Sequence, residues 1–161
     1  MGWLGLKVAK EFGQKLPAFA SQADAQESLF KERDDRLLRM AQLAARSQVF
    51  HADFTPQTLK ALEQWYFELW NSNSFDSLDI RREDFERCMA SYFCEVAVRN
   101  CPGVQWVVQE YAFEAGKFEI GVRRGLLTLM TARFSDWYKE PGNKKHQKLR
   151  REFEKYFSRS E

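Results

Sequence analysis

The sequence predicts an α+β domain, predominantly helical, with a three-stranded antiparallel meander and a C-terminal helix. Three observations predict it. Apolar residues recur every three to four positions through most of residues 3–100. Between residues 104 and 134 that period gives way to alternation, broken by glycines. After a Pro141-Gly142-Asn143 turn the four-residue spacing returns, with Leu149, Phe153 and Phe157. Helices grouped first and strands grouped after them give α+β rather than α/β.

Each element has a local cause. Residues 3–15 read as a short amphipathic helix, with Leu4, Val8 and Phe12 four apart and Lys7, Lys10 and Lys15 beside them. Pro17 stops it, because proline disfavours helix at the preceding residue. Ser21 is an N-cap for a long helix through about Ser47, with Phe30, Leu37, Met40, Ala41 and Ala44 on one stripe. Thr55 as a cap and Pro56 at the first helical position start a third helix. Its apolar face is Leu59, Leu62, Tyr66, Leu69 and Trp70, and it ends at Asn-Ser-Asn-Ser, 71–74. A fourth helix covers roughly 81–100, striped by Phe85, Met89, Tyr92, Phe93 and Val96. Pro102 and Gly103 turn the chain into strand residues. In the next strand Phe118, Ile120 and Val122 alternate with Glu119, Gly121 and Arg123, the pattern of a half-buried strand. The stretch after Gly125, Leu126 to Phe134, reads best as a third strand, with a short helix as the alternative. Residues 1–47 are expected as a helical arm or dimer contact, and 52–161 as a compact α+β domain.

Composition narrows the function classes. The 161 residues carry fourteen Phe, five Tyr and five Trp, a rich supply of rings for a core and for an interface. The net charge is +2, which does not point to nucleic acid. Its distribution is uneven: residues 51–100 hold 5 basic and 9 acidic side chains, and residues 101–161 hold 12 and 8. Cys88, Cys94 and Cys101 are odd in number and widely spaced, unlike the close pairs of zinc sites. They suit free thiols in a reducing, cytoplasmic compartment. No metal or other cofactor is expected. No apolar run approaches the roughly 18–20 residues of a membrane span, and the N-terminus lacks the pattern of a secretory signal.

Chemistry-bearing residues concentrate at the joint between the fourth helix and the first strand. Cys88, Glu95 and Arg99 share one edge of the helix, and Glu95–Arg99 has the favourable acid-first i,i+4 order. The joint reads Y-x-x-E-V-x-x-R-N-x-x-G-x-x-W from Tyr92 to Trp106. With the preceding helix and the following meander, it resembles small, mostly uncharacterised bacterial α+β domains over roughly residues 52–140. Cys94 stands where such domains are expected to carry glycine or another small residue. The resemblance implies an order of elements and a bacterial source, and no reaction.

The expected function is a non-catalytic protein-interaction domain, of accessory, adaptor or toxin-neutralising type, with a protein partner or a second copy as its target. Trp65 and Phe67 fall beside the apolar face of the third helix and are the candidate contact residues. One alternative is nucleic-acid binding through the C-terminal helix, with Lys144, Lys145, Lys148, Arg150, Arg151 and Lys155 as the basic patch. Glu152 and Glu154 interrupt that patch. Another alternative is an enzyme using Cys88 or Glu95, and a third is a lipid-surface role for the basic first helix. The joint itself is expected to be structural, with Trp106 filling the space between helix and sheet.

Overall fold

The fold is known from a computed structural model, which describes residues 2–138 and 148–157. Six α-helices and three strands follow in the order α1 Trp3–Gln14, α2 Gln22–Ser47, α3 Thr58–Asn71, α4 Arg82–Asn100, β1 Gln105–Glu110, β2 Phe118–Arg124, β3 Leu127–Met130, α5 Phe134–Trp137 and α6 Lys148–Tyr156. The α+β class, the meander and the C-terminal helix therefore stand. The Pro141-Gly142-Asn143 turn lies outside the described residues.

Local signals explain most boundaries. The Ser21 side chain accepts a hydrogen bond from the Asp24 N–H and caps α2. Gly103 and Gly116 carry φ +82° in the turns that flank β1, a conformation open to glycine at no steric cost. The entry to α3 differs from expectation. The helix starts at Thr58, with Gln57 at the N-cap position and no side-chain cap; Thr55 and Pro56 lie in the turn before it, where Asp53 Oδ1 accepts from both the Thr55 N–H and the Thr55 hydroxyl.

α4 lies at the centre. Eleven of its nineteen residues are buried, on all sides of the helix, because it is covered by neighbours rather than by one layer. α2 crosses from the sheet onto α4. Ala25 and Leu29 pack on Val108, Phe118 and Ile120 of the sheet, and Met40, Leu43 and Ala44 join the main core with α3 and α4. Residues 22–47 thus share the core of residues 58–100, and only α1 has the character of an arm. The strands pair antiparallel in the order β1-β2-β3, with Val108 opposite Ile120 and Gly121 opposite Met130. The stretch Pro17–Phe19 runs beside the start of β2, where Phe118 N–H donates to Pro17 O. With that edge paired, α2 packed on Phe118 and Ile120, and Thr131–Arg133 lying against the strand, β2 is buried from Phe118 through Val122. Glu119, read from alternation as solvent-facing, is consequently inside.

Two further expectations are corrected. Trp65 and Phe67 do not form a surface: each is 3% exposed. α3 is covered on more than one side, so its buried arc is wider than a surface helix needs. The Trp65 ring meets Phe50 and Phe85, while Phe67 packs on Tyr138 from the C-terminal segment.

Candidate functional site

The helix-to-strand joint is assembled as a clamp. The Tyr92 hydroxyl accepts from the Phe54 N–H at 3.1 Å, and the two rings stack with centroids 4.8 Å apart. The Arg99 guanidinium covers the Phe54 ring, 3.8 Å from its centroid. Asn100 Nδ2 donates to both Phe54 O and Val96 O at 2.7 Å. These contacts hold Phe54 at φ +62°, a left-handed conformation that a bulky residue adopts only when its surroundings impose it. Glu95 accepts from Arg99 Nε at 3.1 Å and from Trp106 Nε1 at 2.7 Å. Both carboxylate oxygens are thereby engaged, Oε1 within the helix and Oε2 in a tie to the strand, and Trp106 packs half-buried against both apolar clusters.

Cys88 is separate from that clamp. It lies in the wall of a charged groove between α2 and the start of α4, together with Arg36, Arg39, Asp84 and Arg87. Burial pushes its thiol up to about 11, against the pull of Arg36 and Arg39. A thiol held above neutral pH is a poor nucleophile. Cys94 and Cys101 are also buried, and burial raises both. Among the described residues no group of three metal-donor side chains forms.

Glu63 of α3, absent from the sequence expectations, organises the C-terminal segment. It is 1% exposed. Its Oε2 accepts from the Tyr138 hydroxyl at 2.6 Å and from the Leu149 N–H at 3.2 Å. Burial raises its pKa above the ordinary carboxylate value, and these hydrogen bonds oppose the rise. The same contacts seat α6 with Leu149 and Phe153 inward. On its outer side Lys148 pairs with Glu152 at 2.9 Å and Arg150 with Glu154 at 3.0 Å. Those pairs take up part of the expected basic patch; Lys144 and Lys145 lie outside the described residues.

A second cavity lies beside the charged groove. Glu32, Arg36 and Arg87 border both. It is enclosed by Leu16, Leu29, Phe118, Ile120 and Phe134, with Glu86 and Glu119 in its walls. Burial raises the pKa of both carboxyls. Periodicity had no means of finding this place, because it depends on Pro17–Phe19 and residues 131–136 closing over β2.

α1 forms the remaining candidate surface. Its second half is fastened to the hairpin: Tyr111 donates to Ala9 O at 2.9 Å, Gly13 is buried, and the Phe12 and Tyr111 rings lie 5.6 Å apart. Its first half leaves Trp3 79%, Leu4 69% and Val8 58% exposed.

Residues 18–157 match a protein family described as uncharacterised protein YwmA. The chain belongs to that family. It is 24% identical over 117 residues to the uncharacterized protein YwmA of Bacillus subtilis (strain 168), covering 71% of this chain and 73% of that protein. No solved structure matches the chain. The matched span takes in α2, the joint clamp, the sheet and α6, and it begins after α1. The expected resemblance to small, uncharacterised bacterial domains is thus met, and the shared region is larger than residues 52–140. Among the described residues no helix is long and apolar enough to cross a membrane.

Proposed function

We propose that this chain is a non-catalytic protein-interaction domain whose α1 helix is the docking element. The exposed Trp3, Leu4 and Val8 carry the reading. They stand on a helix that is fixed at its other end, so binding does not have to order it, and pre-organisation lowers the cost of association. Leu4 and Val8 are four apart, the spacing of a helix laid in a groove. Lys7 and Lys10 flank them against a single acid, Glu11, which favours a partner groove with an acidic rim. The buried, high-pKa thiols and the fully engaged Glu95 oxygens support a non-catalytic role. Three free thiols support a reducing compartment such as the cytoplasm.

The test is a crosslinking pull-down from the source cells with wild type and a Trp3→Ser/Leu4→Ser/Val8→Ser variant, followed by reconstitution with the purified candidate. A stoichiometric protein held by wild type and lost by the variant supports the reading. Equal capture by both moves the interface elsewhere. Retention on anionic vesicles with no protein partner replaces it with a lipid-surface role.

A further inference from the structure

The outer edge of β3 is a second surface, on an element that docking through α1 does not use. In the sheet order β1-β2-β3, β3 pairs with β2 on one side and with no described strand on the other. The alternation of the ladder decides what that edge shows. The Leu129 carbonyl is turned toward β2, where it lies against Gly121, and Thr131 Oγ1 donates to Ile120 O at 3.1 Å from the same side. Successive residues of a strand point their backbone groups in opposite directions, so the N–H and C=O of Thr128 face away from β2. Thr128 is exposed. The other edge of the sheet is guarded, because Gln22 Nε2 donates to Val108 O at 2.6 Å. Edges are otherwise blunted by lysine, proline or a bulge. Residues 125–132, Gly-Leu-Leu-Thr-Leu-Met-Thr-Ala, hold no charge and no proline. Leu126, in the two-residue turn between Arg124 and Leu127, is fully exposed.

We infer that this edge pairs with a second copy of the chain, β3 against β3, antiparallel about a twofold axis at Thr128. Thr128 then lies opposite Thr128 of the second copy, Leu127 opposite Leu129, and Leu126 opposite Met130. That register is self-complementary, as an isologous contact requires. Apolar meets apolar on both sides of a Thr–Thr pair, which is itself favourable across strands. Charge agrees with it. A charged side chain at the centre of the strand would meet its own copy across the axis, and residues 125–132 supply none. The nearest arginines are turned to groups of their own chain. Arg123 donates to Gln109 Oε1, Arg124 to Phe157 O, and the Arg133 guanidinium lies on the Phe12 ring. Two three-stranded sheets become one of six strands, held by main-chain hydrogen bonds, and Leu126 gains an apolar neighbour. The strand is four residues long, so the contact lies at the small end of interfaces and the dimer is reversible. The inference is independent of the docking role of α1.

The experiment is sedimentation equilibrium of the whole chain from about 5 to about 500 µM, a range that brackets a weak interface. The apparent mass is expected to rise with concentration from 19.0 kDa toward twice that value. Thr128→Lys and Thr128→Glu each set like charges face to face at the axis and are expected to weaken the dimer at least about tenfold. Mixed in equal amounts, the two are expected to restore it, because only a contact in which position 128 meets itself turns that repulsion into attraction. The position is exposed, so both variants should melt near wild type at low concentration. Trp3→Ser/Leu4→Ser/Val8→Ser is expected to dimerise as wild type does. A wild type that keeps the mass of one chain across the range overturns the inference. So does a dimer that survives Thr128→Lys, a mixture that stays monomeric, or a dimer lost in the α1 variant, which would place the self-contact on α1.

Discussion

Residues set the terms through burial more than through type. Trp65 shows it: a ring placed by periodicity beside the apolar face is in fact among the core's contacts with Phe50 and Phe85. Trp65→Ala is expected to cost about 3–5 kcal/mol, the range for removing a buried large aromatic; denaturant unfolding measures it. A loss below about 1 kcal/mol would place the ring outside the core. Glu63 makes a sharper case. Glu63→Gln keeps an acceptor for Tyr138 and Leu149 and removes a buried charge, so stability should hold or rise. Glu63→Leu leaves two buried donors unpaired and should cost about 1–3 kcal/mol for each. Equal effects of the two substitutions would contradict the hydrogen bonds.

Elements depend on such residues at their ends. The clamp on Phe54 ties α4 to the entry of α3, and Glu95 ties the same helix to β1. Glu95→Ala frees Trp106 Nε1 and Arg99 together. The expected cost is about 1–2 kcal/mol, because the indole is half-buried and the arginine is half in water. Change in the fluorescence maximum on the same substitution reports whether Trp106 gains water. The sheet has an equally local dependence. A Cβ at Gly121 would run into the Leu129 carbonyl and come within 2.7 Å of Met130 Cα. Gly121→Ala should therefore separate β3 from β2, visible as loss of amide exchange protection confined to residues 121–130. α6 is held by apolar contacts, so Arg150→Ala, which breaks only an exposed pair with Glu154, is expected to change stability by less than about 0.5 kcal/mol.

At the scale of the whole molecule the buried carboxyls make stability depend on pH. Burial raises Glu63, Glu86 and Glu119 above the ordinary 4.5. A raised folded-state pKa means that the folded chain holds protons the unfolded chain releases. Their contribution is complete below the unfolded value and is lost as pH climbs through the folded values. Hydrogen bonds from Thr55 and Arg81 lower Asp53 and Asp84 below 3.8, so their contribution is lost in the opposite direction, as pH falls through those lowered values. Calorimetry should then show the melting temperature falling as pH climbs above the ordinary carboxylate value of 4.5, and a flatter profile for Glu119→Gln. A melting temperature that climbs over that range would show that the three carboxyls are not desolvated.

The sequence by itself determined the helix-then-meander order, the α2 cap at Ser21, the turn at Gly103 and the inward Leu149, Phe153 and Phe157. Each depends on neighbours within a few residues, where period and backbone preference act directly. It also marked Tyr92, Glu95, Arg99 and Trp106 as a joint, because their spacing on one helix and the turn after it is a local fact. Only the tertiary structure decided what each face meets. α3 looked like a helix with one buried side until α4 and the C-terminal segment covered Trp65 and Phe67 from different directions. β2 read as half-exposed until Pro17–Phe19, about a hundred residues away in the chain, paired along its edge and residues 131–136 folded against it beside Glu119. Periodicity reports that one side of an element is apolar. How many sides are covered, and whether a carboxylate ends in water or in a cavity, is set by which distant segments pack there.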